Sequence, residues 1–179
     1  MDTTVRMLGE VGYQSLSMAG VAATAGVGRP ALYRRFPSKR DLVVAAILDL
    51  TDAPEPVLPT DTRGALAALL GATADALARP GGMAILGSLL AQEARDPDLI
   101  AVFRERVFAP RQAVINALLQ QGIDAGDVRS DLDLEVADAL LFGALLARAT
   151  LGEPVDAAWR DRVIDQVWKA IASTDPGLS

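Results

Sequence analysis

The sequence predicts an all-α protein. Apolar residues recur at three- and four-residue spacing along nearly the whole chain, and no stretch alternates as a half-buried strand would. Serine, aspartate, glycine and proline fall where helices start and stop. With 51% hydrophobic and 22% charged residues, the 179-residue chain has the composition of an ordinary globular protein, and its apolar surface is ample to offset the entropy of folding.

Taken in order, a first helix is expected from about Thr3 to Val11, with Val5, Leu8 and Val11 on one side and a stop at Gly12. Ser17 is a suitable N-cap for a second helix carrying Met18, Val21, Ala22 and Ala25 at i, i+3, i+4 and i+7. Gly26 closes it, supplying a left-handed turn without steric cost. A short third helix begins near Gly28, tolerates Pro30 in its first turn, and ends at Phe36 before Pro37. Ser38, followed three residues later by Asp41, forms a capping-box start for a fourth helix through Leu42, Val43, Ala46, Ile47 and Leu50. Three prolines in 52–60 mark a linker, which divides the chain into 1–51 and 61–179.

Behind the linker, Asp61 to Ala78 is an alanine-rich helix ended by Pro80-Gly81-Gly82, and Met83 to Ala94 is the next. Asp96-Pro97 opens a longer segment to about Gln121, which Pro110 should kink or split. Two further helices are expected, Leu134 to Leu151 and Val155 to Ala172.

Composition removes several function classes. The chain has neither histidine nor cysteine, which excludes disulfides, thiolate chemistry, cysteine-histidine zinc sites and imidazole-dependent triads. There is no glycine-rich phosphate loop, so neither an enzyme nor a cofactor or metal site is expected. Met1 to Val11 contains Asp2, Arg6 and Glu10 and does not resemble an export signal, and the longest apolar run, Ala139 to Ala147, is too short to cross a bilayer. A cytoplasmic protein is therefore expected.

Net charge is −6 but unevenly spread: residues 1–50 hold six basic and four acidic side chains, residues 51–179 eleven and nineteen. Between Arg29 and Arg40 there are five basic residues and no acidic one. Screening confines charge effects to short range, so a local basic face can bind phosphate despite an acidic remainder.

That face lies within the segment SMAGVAATAGVGRPALYRRFPSKRDL, Ser17 to Leu42. Ala22, Gly26 and Leu32 have the spacing of a helix-turn-helix: a small residue for close crossing, a glycine corner, and an apolar lock on the second helix. The longer pattern of Val21-Ala22, Ala25-Gly26-Val27, Leu32-Tyr33, Phe36 and Lys39 resembles the DNA-binding domain of TetR-type transcriptional regulators. About fifty residues share the likeness, including Met7 to Ser17, and the remainder matches the family's C-terminal regions more loosely.

The resemblance implies a homodimeric repressor that binds a near-palindromic operator in double-stranded DNA and responds to a small, mostly apolar ligand. Arg29, Ala31 and Arg34 would lie on the exposed side of the third helix, with Gly28 at its start, and arginine can read guanine in a bidentate manner. Tyr33 and Lys39 occupy positions that the family uses for phosphate, and Ser17 and Ser38 place helix N-termini where phosphates could sit. One of Arg34 and Arg35 should simply face solvent, and the sequence leaves open which. Relative to the family, the first helix opens at Met1 in mid-helix. The alternative is therefore a helical sensing protein whose DNA binding is impaired by a shortened first helix.

Two predicted helices of the C-terminal region resemble the family's dimer seam. Val136 to Ala147 is apolar nearly all round, so it should be buried on two sides. Leu140, Gly143 and Ala144 on it, with Trp159, Val163, Val167, Trp168 and Ile171 on the last helix, are the candidate interface residues. Candidate ligand-pocket residues are Leu69, Leu77, Met83, Leu86, Leu90, Phe103, Phe108 and Phe142, with Gln92, Asn116 and Arg148 as polar groups near apolar surface.

Overall fold

The computed structural model describes residues 1–51, 56–79 and 81–173, with Leu50 and Thr51 described by their backbone alone. Part of the expected linker, Pro80 of the expected helix break, the Leu50 side chain and the chain beyond Ser173 therefore lie outside the described residues. The described chain is helical, in the order α1 (Asp2–Ser15), α2 (Met18–Ala25), α3 (Arg29–Arg35), α4 (Lys39–Thr51), α5 (Thr62–Ala78), α6 (Gly82–Leu90), α7 (Pro97–Phe103), a π turn (Arg104–Phe108), α8 (Ala109–Asp124), α9 (Leu134–Thr150) and α10 (Ala157–Ile171). Among the described residues no strand forms, and the β-type contact is an isolated antiparallel bridge between Val128 and Ala172.

The chain divides into two compact units, Met1–Pro54 with Ala76–Ala109, and Glu55–Asp75 with Pro110–Ser179. This grouping differs from the division expected at the linker, because α6 and α7 cluster with the N-terminal helices.

In the first unit the core joins Val5 and Leu8 of α1, Met18 and Val21 of α2, Leu42, Val43, Ala46 and Ile47 of α4, Ile85 and Leu89 of α6, and Leu99 and Ile100 of α7. Leu32 and Phe36 pack against it half-buried. Local chemistry sets the helix ends. The Gly20 N–H donates to Ser17 Oγ at 3.0 Å, and Gly26 ends α2 at φ 67°, a left-handed value open to glycine at little cost. At α4 the capping box is complete: Ser38 N–H donates to Asp41 Oδ2 and Asp41 N–H to Ser38 Oγ, each at 3.1 Å. Asp96 caps α7, accepting from the Leu99 N–H at 3.2 Å.

Three departures from the expected helix boundaries have a local cause. Gly12 does interrupt α1, at φ 71° and ψ 168°, but helical winding resumes to Ser15. The kink lets Tyr13 and Leu16 enter the core. α6 ends at Leu90, short of Ala94, because the chain turns there: the N–H groups of Arg95 and Asp96 both donate to Gln92 O, at 2.8 and 2.7 Å. The interruption expected at Pro110 takes the form of the π turn immediately before it. There the Ala109 N–H reaches back five residues to Arg104 O, and the wider winding relieves the proline ring of the carbonyl it would strike in a regular helix.

The second unit buries Ala65, Leu66 and Leu70 of α5, Ile115 and Leu119 of α8, Ala137, Leu141 and Leu145 of α9, and Ile164 and Ile171 of α10. Aspartates again start its helices: Asp61 accepts from Gly64 N–H (2.7 Å), Asp133 from Val136 N–H (3.1 Å) and Asp156 from Trp159 N–H (2.8 Å). Only one face of α9 is covered, and its row Ala137, Leu141, Leu145 is set against an exposed row containing Val136 (54% exposed), Leu140 (52%), Gly143 and Ala147. Between Val136 and Ala147 its one polar side chain is Asp138, which is buried.

Candidate nucleic-acid interface

The α2–turn–α3 hairpin is held from within. Ala22 and Val21 are buried, the Val27 N–H donates to Ala22 O at 3.0 Å, and Leu32 anchors α3 on the core. No residue of α3 is buried. Arg29, Ala31, Arg34 and Arg35 are exposed, as are Ser17 and Gly28, and Tyr33 is 49% exposed. Among the described residues, Arg29, Arg34 and Arg35 have no ion-pair partner.

Helical geometry separates the two adjacent arginines. At about 100° per residue, Arg34 stands about 160° round the helix from Leu32, and Arg35 about 60°. The Arg35 guanidinium accordingly folds back over the Phe36 ring, 5.4 Å from its centroid. Arg34 is the one directed straight away from the core.

The other two cations of the basic run are engaged internally. Arg40 pairs with Asp98 at 3.3 Å. Lys39 Nζ donates to Tyr13 O at 2.9 Å and Gln14 O at 3.3 Å, and sits 4.5 Å from the Tyr13 ring centroid. An ammonium has three protons, so one remains for an outside acceptor. Further polar contacts tie the end of α1 to the α6–α7 turn: Gln14 donates to buried Gln92, and the Tyr13 hydroxyl to Asp96 Oδ2 at 3.4 Å. Burial, and then the Asp96 carboxylate, hold the Tyr13 phenol above its ordinary pKa, against the opposing Arg40 charge. These long-range contacts had no signal in the sequence.

The candidate interface residues of the C-terminal helices fall into two groups. Leu140 and Gly143 are exposed, Ala144, Trp159, Val163, Val167 and Trp168 half-buried. Ile171 is fully buried within its own unit, 1% exposed, and its carbonyl accepts from the Arg129 N–H at 2.9 Å.

The candidate pocket residues divide between the two units. Leu77, Met83, Leu86, Leu90, Gln92, Phe103 and Phe108 belong to the first unit, and Leu69, Asn116, Phe142 and Arg148 to the second. Leu86 is buried and Leu90 exposed; Phe103 and Phe108 meet edge-to-face at 5.1 Å. Asn116 is half-buried, and its Oδ1 has no hydrogen-bond partner among the described residues. Arg148 pairs with Glu153 at 2.7 Å and stacks on Trp159 at 5.0 Å. A crevice of about 220 Å³, counting its open mouth, does occur in the second unit. Of the candidates, Phe142 lines it. Arg111 and Thr73, which sequence reasoning missed, line it too.

The N-terminal residues 1–46 match the family described as bacterial regulatory proteins, tetR family, and residues 60–167 match the tetracyclin repressor-like C-terminal domain. The chain belongs to the TetR family. It is a DNA-binding transcriptional regulator of that family. It is 31% identical over 153 residues to an uncharacterised HTH-type transcriptional regulator of Mycobacterium tuberculosis, covering 84% of this chain and 74% of the relative. To a protein of Mycobacteroides abscessus described as the DNA-binding transcriptional repressor TetR it is 30% identical over 159 residues, covering 87% and 83%. Among solved structures, the TetR family regulator SCO0332 superposes with a TM-score of 0.63 at 28% identity, covering 94% and 96% of the two chains. FadR from Bacillus subtilis, solved in complex with stearoyl-CoA, superposes with a TM-score of 0.76 at 19% identity over 95% and 96%, a likeness of fold. Among the described residues no helix is long and apolar enough to cross a membrane.

Proposed function

We propose that this TetR-family chain is a ligand-responsive repressor that acts in the cytoplasm as a homodimer on a near-palindromic operator. The observation that carries the reading is α3, a helix with no fully buried residue whose arginines have no ion-pair partner among the described residues. Arginines left bare in this way are available to an anionic, hydrogen-bonding partner. Arg29 and Arg34 read base edges in the major groove, with Ala31 allowing close approach. Ser17, Gly28, Tyr33 and the remaining Lys39 proton hold the phosphates on either side. In this reading 1–51 is the reader, 52–60 the linker and 61–179 the ligand-binding and dimerising body.

The exposed apolar row of α9 supports the dimer, for an aliphatic row open to water gains by covering itself with its own copy. Twofold pairing sets two α3 helices roughly 34–36 Å apart, one turn of DNA, and so calls for a palindrome. Ligand acts by population shift, favouring a body arrangement in which that spacing is wrong.

Selection of bound duplexes from a random-sequence pool by the full chain, followed by titration at several salt concentrations, tests this. The expected outcome is a palindromic consensus bound with steep salt dependence. Recovery of unrelated sequences with a flat salt response would overturn it.

A further inference from the structure

Lysine is scarce in this chain. Of the 17 basic residues two are lysines, Lys39 and Lys169, and the rest are arginine. Lys39 also stands where a cation is least welcome, at the first residue of α4, because the N-terminal end of a helix is itself electropositive. What its side chain reaches explains both oddities.

Past the kink at Gly12, α1 ends in Tyr13, Gln14 and Ser15. The last carbonyls of a helix have no donor in a following turn, and they form the negative pole of its dipole. The closing N–H, from Leu16, goes to Gly12 O, and α1 has no basic residue in its own last turn. The Lys39 ammonium supplies both the donor and the charge from α4, at 2.9 Å from Tyr13 O and 3.3 Å from Gln14 O, while lying 4.5 Å from the Tyr13 ring centroid. A small ammonium with three rotatable donors can serve two adjacent carbonyls while resting on a ring, whereas a guanidinium holds its donors rigidly in one wide plane. The side chains of the same two residues are held by the α6–α7 turn, Tyr13 by Asp96 and Gln14 by Gln92, so the carbonyls that Lys39 grips are themselves fixed.

The bearing of α3 depends on that grip. Its start is set by the Gly26 turn out of α2, and its end is followed by Phe36, Pro37 and the Ser38–Asp41 box that opens α4. Leu32 and Phe36, both half-buried, are its hold on the core. Anchoring Lys39 to α1, the helix on which α2 also packs, therefore fixes both ends of α3 against one support.

We infer that Lys39 is a positioning residue of the reader, closing the end of α1 from the start of α4 and so setting the angle at which α3 meets DNA. The inference rests on the reading of α3 proposed above. The third ammonium proton stays available to a phosphate, so the two roles separate by charge.

Lys39→Arg keeps the charge and Lys39→Met removes it. Operator and generic duplex are each titrated with the full chain at several salt concentrations. Lys39→Arg is expected to bind the operator at least about tenfold more weakly, the worth of a hydrogen bond to a charged group, with generic affinity and salt slope unchanged. Lys39→Met should lose on both duplexes, with a salt slope smaller by about one. A residue that only stabilised the fold would lower the thermal midpoint and leave the ratio of operator to generic affinity where it was. Lys39→Arg holding operator affinity within about threefold, less than such a bond is worth, would overturn the inference, as would an equal loss on both duplexes. In the free protein, the backbone amides of Leu16 and of Leu32 to Phe36 should exchange faster in Lys39→Arg, and an unaltered pattern would also overturn it. Were the parent chain to select no operator, the repressor reading would fall alone, and amide exchange would still decide the role of Lys39.

Discussion

The third and ninth helices both turn much of their surface to water, but they expose opposite chemistry. α3 has no fully buried residue and carries arginines free of ion pairs among the described residues. α9 buries one face and leaves a row of aliphatic and small residues bare on another. A solvated guanidinium is stable alone and becomes useful only beside an anion, whereas an aliphatic row gains simply by losing its water. The difference teaches that the two surfaces answer to different variables. On the proposed reading, contacts made through α3 would weaken as salt screens them, and contacts made through α9 would not.

The largest expected effect breaks the α3 half. Arg29→Ala combined with Arg34→Ala would remove the two arginines proposed to read bases, at about 1–3 kcal/mol apiece, so operator affinity should fall at least about a hundredfold in the proposed dimer. Circular dichroism should stay unchanged, since neither side chain is buried. A fluorescence-anisotropy titration that finds affinity within about threefold of the parent would take both residues out of the reader.

Next, Leu140→Glu breaks the α9 half. Leu140 is 52% exposed in its own chain, so the substitution leaves the fold intact, but it places an uncompensated charge in the proposed seam. Sedimentation should show the dimer dissociating at least about tenfold more readily, with little dependence on salt. A salt-sensitive or unaltered dimer would place the seam elsewhere.

The smallest effect sharpens the comparison by probing how the reader is held. The folded pKa of Tyr13 is raised by burial and by Asp96. Its contribution to stability is therefore complete below the unfolded value, about 10, and is lost as pH rises through the folded one. Thermal midpoints should drop in alkali above pH about 10, and the drop should shrink in Tyr13→Phe. An identical alkaline profile in that variant would show that the phenol does not link to folding.

The parts legible in the sequence were those encoded within a few residues. Ser17, Gly26, the Ser38–Asp41 box and Asp96 each declare a helix boundary through bonds three or four residues long, and the structure places those boundaries there. What escaped involved partners far apart along the chain. The bond of Lys39 to Tyr13 O joins residues 26 apart, Gln14 and Gln92 are 78 apart, and Arg111 meets Asp138 across 27. A periodic pattern holds no record of such pairings. The continuation of α1 past Gly12 escaped for a related reason. A glycine at positive φ bends a helix as readily as it ends one, and burial of Tyr13 and Leu16 decides between the two.

The sparseness of free charge on the reader bears on how the protein finds its target. On a chain of net charge −6, the N-terminal basic run leaves Arg29, Arg34 and Arg35 without ion pairs among the described residues, while Lys39 and Arg40 are drawn partly inward. Generic duplex is held in proportion to the counterions displaced, so random genomic DNA retains such a protein only loosely. On the proposed reading, few copies would then be sequestered away from the operator, and a small supply would keep it occupied.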